Sequence, residues 1–316
     1  MKNFFAAGLA MLMLLAPTAQ VLADKIKIQP MFTYGESLNE QQFQQTRQTL
    51  GVQDGAQEIK VHINELNGLL HDSYPYYQVY SSAYITPADN QGGVTVNILT
   101  PQTITSITPR QYENAAVTAG AVDVNINVAS AVQVDGSGAL AGVYKAFQES
   151  GHQLNQEAVG VAQDELGVAS KITEENKGKK GYSDDALNAA IAEIKAEIQK
   201  AKEENKGNIS NEQIQVIINN VINNYNLNNV LSQENIDQLQ NLMQKFSQIE
   251  LTDEQKDALT KLGQDLLKSG DELLKKAKTS WDSLDDNKKQ EISQQATSIW
   301  QQFLNFLKNI FSIFNK

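Results

Sequence analysis

Strand-type alternation stops near residue 150. That change of pattern confines the chain to a sheet-containing first part and a helical second part. In the first part, Lys25 to Thr33 reads as a strand, and Ser37-Leu-Asn-Glu40 reads as a capping box opening a helix from Gln41 to Leu50. Gly51 follows as its left-handed stop. From Glu58 to Ile63, apolar Ile59, Val61 and Ile63 alternate on one face. Tyr76 to Ile85 and Val94 to Ile104 read as two further strands, with Asn90-Gln-Gly-Gly93 as the turn between them. Thr108-Pro109 then caps and opens a helix to Ala119, Gly120 ends it, and Val122, Val124, Ile126 and Val128 alternate as a last strand.

The two helix-containing stretches superimpose at one offset of 69 positions: Asn39 falls on Thr108, Phe43 on Tyr112 and Gly51 on Gly120. This spacing predicts a β-α-β pseudo-repeat in an α/β or α+β domain, its helices packed on one face of a mixed sheet. The strand signal disappears beyond His152. Asp164 to Thr173 is helical, and Glu174 to Gly181 reads as a charged, glycine-containing linker. Ser183, Ser210, Ser232 and Thr252 are helix starts, and Ser210/Gln213 and Thr252/Gln255 match the capping box. Ile214, Ile217, Val221 and Tyr225, then Leu239, Leu242, Met243 and Phe246, recur at helical spacing. The helical spacing of these apolar residues makes the Asn- and Gln-rich stretch from Asn208 to Gln248 solvated helix faces rather than a low-complexity tract. The expected division is 1–23 signal peptide, 24–150 mixed α/β domain, 151–182 helix and charged linker, and 183–316 an all-α, coiled-coil-like helical region.

Chemistry is sparse. With no cysteine there are no disulfides, thiolate metal sites or thiol nucleophiles, and three histidines make a multi-histidine zinc site improbable. The formal charge of −11 opposes nucleic-acid binding, which needs clustered cations. Gly136-Ser-Gly138-Ala-Leu-Ala-Gly142 lacks both the dinucleotide-loop spacing and the nucleophile-elbow pattern, and reads as a tight strand-to-helix turn with close packing. His62 sits on the opposite face of its strand from Ile59, Val61 and Ile63, and His71 precedes Asp72 with no serine in recognisable context. No catalytic residue, metal ligand or cofactor site is assigned. Paired carboxylates from separate loops leave no local spacing to read, so an exported cell-wall-polymer hydrolase using acidic residues is the alternative function.

Two features point to binding instead. Tyr74, Tyr76, Tyr80 and Tyr84 share parity, so on a single strand they form a row of rings able to stack on sugars or clamp a peptide; Tyr76, Tyr80 and Tyr84 are the candidate ligand-binding residues. Near the C-terminus, Ile299, Trp300, Phe303, Leu304, Phe306, Leu307, Ile310, Phe311, Ile313 and Phe314 fill an arc of roughly 180° on a helix. Such a face is buried internally, against a partner or on a membrane surface, and it is too short to span a bilayer. Trp300, Phe303, Phe306, Leu307, Ile310, Phe311 and Phe314 are its docking candidates. At the other end, Lys2, an apolar run from Phe4 to Ala16, and Val21 and Ala23 before Asp24 read as a cleaved secretion signal.

Thr108-Pro-Arg-Gln-Tyr112, Ala115-Ala-Val-Thr-Ala-Gly120, Val132-Gln-Val-Asp-Gly-Ser-Gly-Ala-Leu-Ala-Gly142 and Tyr144-Lys-Ala146 resemble the core of the YpuA-like secreted proteins of Gram-positive bacteria, catalogued as domain of unknown function 1002. The resemblance extends over nearly the whole mature chain, with Ser81-Ser82, Ile85 and the aromatic C-terminus. Members often carry proline near Ala131 and serine at Asp135, where this chain departs. The resemblance implies an exported, envelope-associated protein and supplies no catalytic residue, cofactor or substrate. The expected function is thus a secreted binding or structural protein whose partner is a cell-wall polymer, an envelope protein or a membrane surface.

Overall fold

The computed structural model describes residues 28–70, 76–88, 93–152 and 154–262. The expected signal peptide, Tyr74, His71, most of the Asn90 to Gly93 turn and the amphipathic segment from Ile299 to Phe314 lie outside the described residues.

The first part holds two β-α-β units. β1 (Met31–Gly35), α1 (Glu40–Thr49) and β2 (Gln57–Val61) form one, with β1 and β2 parallel. After α2 (Ile63–Leu70), β3 (Ser82–Pro87) crosses the sheet alone. β4 (Val94–Ile98), α3 (Pro109–Ala119) and β5 (Val124–Ala129) form the second unit, again with parallel strands. β3 runs antiparallel between β1 and β5, giving a mixed sheet of order β2-β1-β3-β5-β4. β3 and β4 are therefore not a hairpin, as their sequence spacing had implied; β5 lies between them.

The local grammar of the two units coincides. Asn39 and Thr108 both cap their helices in reciprocal boxes with Gln42 and Gln111, and Gly51 and Gly120 both turn with positive φ, 65° and 90°. The first cap sits two residues later than expected, because Ser37 is committed elsewhere: its hydroxyl accepts the Val79 N–H at 3.0 Å. The helices nevertheless cover opposite faces. Met31, Ile59, Ile85, Val96, Ile126 and Val128 pack with Tyr112 and Ala115 of α3. Phe32, Tyr84 and Ala129 point the other way, against Leu50 and Phe43 at α1. In both units the second strand lies on the same side of the first, so the two crossovers turn with opposite hands. The expectation that all helices share one face is corrected accordingly.

Strand ends also move. β4 stops at Ile98 rather than Ile104, as Pro101 follows and the chain turns, Thr103 Oγ1 donating to Ser130 O at 2.8 Å. β1 begins at Met31 and β3 at Ser82, so residues 76–80 lie outside the sheet.

α4 (Ser137–Glu149) lies on the same face as α3, and glycine sets its approach. A Cβ on Gly138 would stand 2.8 Å from Ser81 Oγ, and one on Gly142 would stand 2.5 Å from Thr33 Oγ1. Gly136 thus makes the expected tight turn into α4, while Gly138 and Gly142 lie within the helix and supply its close packing.

α5 (Gln156–Asn176), α6 (Asp184–Glu204), α7 (Asn211–Asn224) and α8 (Gln233–Gln248) form the helical part, followed by helical residues 253–262. All four expected caps are used, and Ser232 adds a box with Asn235. The expected linker starts inside α5, whose last turns remain helical to Asn176. Leu187, Ile191, Ile194 and Ile198 of α6 are fully enclosed, each worth about 1.5–3 kcal/mol of apolar burial. α5 serves both cores: Val159, Ala162 and Leu166 face the sheet-side core, while Ala158, Ala169 and Ile172 face the helical one.

Candidate functional site

β1, β2, β4 and β5 are parallel and β3 opposes them, so four carboxyl ends and the amino end of β3 meet at one end of the sheet. Loops leave parallel strands there, and open α/β sheets gather their ligand sites at that end. Glu36 follows β1, His62 follows β2, Ser130 follows β5, and α4 starts nearby at Ser137.

Residues 76–80 cross this end as a clamped, extended segment. The Asn67 side chain accepts the Tyr76 N–H at 2.7 Å and donates to the Tyr76 carbonyl at 3.0 Å. Ser37 N–H donates to Val79 O at 3.1 Å while Val79 N–H donates back to the Ser37 hydroxyl. Gly35 permits this contact, since a Cβ there would lie 2.0 Å from Val79 O.

The expected tyrosine row is not assembled. Tyr84 alone is on a strand, 6% exposed in the aromatic core under α1. Tyr76 is half-buried, its hydroxyl 3.2 Å from Ser137 Oγ, and Tyr80 is half-buried on the clamped segment. The ring that reaches solvent is Tyr77, 75% exposed, which parity had assigned to the other face. Its sequence signal was the interruption at Pro75 and Tyr76-Tyr77, which breaks the alternation that the parity argument assumed.

Beside Tyr76, Asp135 fills the anion position at the start of α4. Its Oδ1 accepts the Ser137 N–H at 3.1 Å, and Ser137 Oγ stands 3.0 Å from its Oδ2. A carboxylate of the chain itself thus occupies the place where a dinucleotide would set its phosphates. Gly136 has φ of 112°, and a Cβ there would strike the Tyr112 hydroxyl, which donates to Gly136 O at 2.5 Å. Burial, with Asp135 nearby, holds Tyr112 protonated far above the usual phenol range.

Across the same end, Glu36 orients His62: carboxylate and Nδ1 are 2.5 Å apart. The Ile63 N–H, donating to Glu36 at 2.9 Å, and His62 together hold the Glu36 carboxyl below its ordinary range. Glu65 accepts the His62 N–H at 2.8 Å and pairs with Lys145 at 2.6 Å; burial raises its pKa, but these partners pull it down on balance. The arrangement resembles the base and orienting acid of a triad, with no hydroxyl or thiol nucleophile bonded to His62 among the described residues. Nor do the described residues contain a group of three His, Asp or Glu placed to hold a metal ion, or a helix long and apolar enough to cross a membrane.

A second polar cluster escaped the sequence reading. Lys195 of α6, 1% exposed, donates to Glu165 Oε1 of α5 at 2.8 Å, and to Thr118 Oγ1 and Asn114 O of α3, both at 3.1 Å. Thr118 lies 2.6 Å from the other Glu165 oxygen. Burial lowers the Lys195 pKa and Glu165 opposes that shift. Three ammonium protons meet three acceptors and both charged groups are fully enclosed, so the cluster joins helices rather than handles substrate. Its signal lay in position: Lys195 falls on the Ile191, Ile194, Ile198 stripe.

Residues 34–262 match a family model described as a protein of unknown function, DUF1002. The chain belongs to the DUF1002 family. The match contains the whole carboxyl-end site and both polar clusters, and it ends before the aromatic C-terminal segment, so the family likeness is shorter than the sequence resemblance implied. The chain is also similar to the uncharacterized protein YpuA of Bacillus subtilis (strain 168), 31% identical over 206 residues, covering 63% of this chain and 68% of YpuA. No solved structure matches it.

Proposed function

We propose that this DUF1002 protein is an exported, envelope-associated binding module that holds a cell-wall polymer against Tyr77 at the carboxyl end of its sheet. The observation that carries this reading is a large ring, 75% exposed, on a backbone clamped by Asn67 on one side and Ser37 on the other. An aromatic surface on pre-ordered chain loses little conformational entropy on binding, and its face stacks on the C–H side of a sugar. Export rests on the N-terminal signal sequence, and attachment to a membrane or partner rests on the amphipathic pattern from Ile299 to Phe314.

Co-sedimentation of the mature protein with purified cell wall tests the reading. Tyr77→Ala should weaken binding about tenfold, the loss of roughly one aromatic contact. Deleting residues 299–316 should abolish partitioning to anionic liposomes and leave wall binding intact. Wall binding indifferent to Tyr77 would defeat the site. Release of soluble wall fragments, abolished by Glu36→Gln, would favour the hydrolase reading that the Glu36–His62 pair keeps open.

A further inference from the structure

We infer that the face of the β3–β5–β4 half left open by the described residues is a platform for a neutral, hydroxyl-rich polymer, a glycan strand. α1 covers only the other half of this face, where Phe32, Tyr34 and Tyr84 pack with Phe43. Beyond Tyr84 the residues of the same face become amides and hydroxyls. Register places Thr86, Thr95, Asn97, Asn125 and Asn127 side by side, with Leu99, 41% exposed, at the rim. Asparagine is disfavoured in strands, so three on one face of two neighbouring strands are not explained by strand propensity.

The amides are pre-ordered. Asn97 Nδ2 donates to Asn127 Oδ1 at 3.1 Å, and Asn125 Nδ2 donates to Pro87 O at 3.3 Å. Asn97 and Thr95 stay exposed. Each amide sets a donor beside an acceptor in one plane, a match for two neighbouring hydroxyls of a sugar ring. Strand spacing of about 4.8 Å and a repeat of about 6.7 Å along each strand spread these groups over consecutive sugars.

The chemistry narrows the occupant. β3, β4 and β5 contain no Asp, Glu, Lys or Arg, so the platform offers nothing to a phosphate backbone or a charged peptide. An apolar helix would strand the amides without partners. Strand addition at the β4 edge is blocked at its centre, because Val96 N–H already donates to Glu113 Oε1 at 3.1 Å. A neutral polyol satisfies what remains. This surface is separate from Tyr77, and the inference does not depend on that site.

Titration of the mature chain with an uncharged β-1,4-linked hexamer of N-acetylglucosamine, read by calorimetry and by side-chain amide NMR, tests it. The Asn97, Asn125 and Asn127 amide signals should shift, and Asn97→Ala with Asn127→Ala should weaken binding about tenfold. Asn97 is exposed and Asn127 half-buried, and Asn97→Asp, which keeps the shape, should also weaken it. Tyr77→Ala should leave the hexamer affinity within about twofold. No saturable binding, or binding lost on Tyr77→Ala and unchanged by the asparagine variants, would overturn the platform; the second result would leave the Tyr77 reading standing.

Discussion

Where α4 meets the sheet, the chain strips side chains away; where α6 meets α3 and α5, it inserts a long charged one. Gly138 and Gly142 let α4 settle onto Ser81 and Thr33, and Gly35 lets the clamped segment lie against β1. The α6 junction is the reverse case, a lysine with every proton matched in a nearly dry interface. The first contact is fixed by volume and tolerates no added atom. The second is fixed by polar matching, so it tolerates replacement only when both charges leave together.

The largest expected effect tests that second statement. Lys195→Ala leaves the Glu165 carboxylate enclosed without its cation and should cost about 3–5 kcal/mol in urea unfolding. Lys195→Met combined with Glu165→Leu removes both charges at similar volume and should recover most of that loss. A double variant as unstable as the single one would mean that the junction depends on its ions, and the contrast with the glycine contacts would fail.

Next comes the steric side. Gly35→Ala places a methyl group 2.0 Å from the Val79 carbonyl, with backbone on both sides and nothing flexible to yield. A loss of about 3 kcal/mol is expected, with release of the clamped segment visible as faster amide exchange at Val79. Gly160, in α5, is the control: nothing lies within 4 Å of its Cβ position, so Gly160→Ala should stabilise by about 0.5–1 kcal/mol.

The same contrast explains what could be read in advance. Caps and stops are local, so Thr108, Ser210, Ser232, Thr252, Gly51 and Gly120 were legible from neighbouring residues. Strand order is not local. β3 was recognisable as a strand, but its place between β1 and β5 depends on pairing across 37 to 54 positions, which no window of alternation records. The site fared likewise. The tyrosine stretch was singled out, yet the ring left in water, Tyr77, follows from two clamps, Asn67 nine positions before Tyr76 and Ser37 42 positions before Val79, neither of which alternation records. Glu36 with His62, and Glu165 with Lys195, are each assembled from separate elements, so only the apolar stripe around Lys195 hinted at either.

The remaining prediction is pH-dependent and concerns Glu193, two residues before Lys195 on α6 and, unlike it, incompletely matched. Its Oε2 accepts the Tyr225 hydroxyl at 2.8 Å and the Asn224 side chain also favours the charged form, but Oε1 is enclosed without a close partner. Burial, with Glu197 adding repulsion, pushes its carboxyl up to about 7. The folded state therefore holds a proton that the unfolded chain releases near 4.5. Stability from this group is fully present below pH 4.5 and is lost as pH rises through about 7, a difference on the order of 3 kcal/mol at most. Glu193→Gln, which keeps the acceptor for Tyr225 and cannot ionise, should flatten that part of the melting-temperature profile and make the variant the more stable protein above pH 7. An unchanged slope between pH 5 and 8 would place the titrating group elsewhere, because Glu193 would then be as ionised in the folded helix as in the unfolded chain.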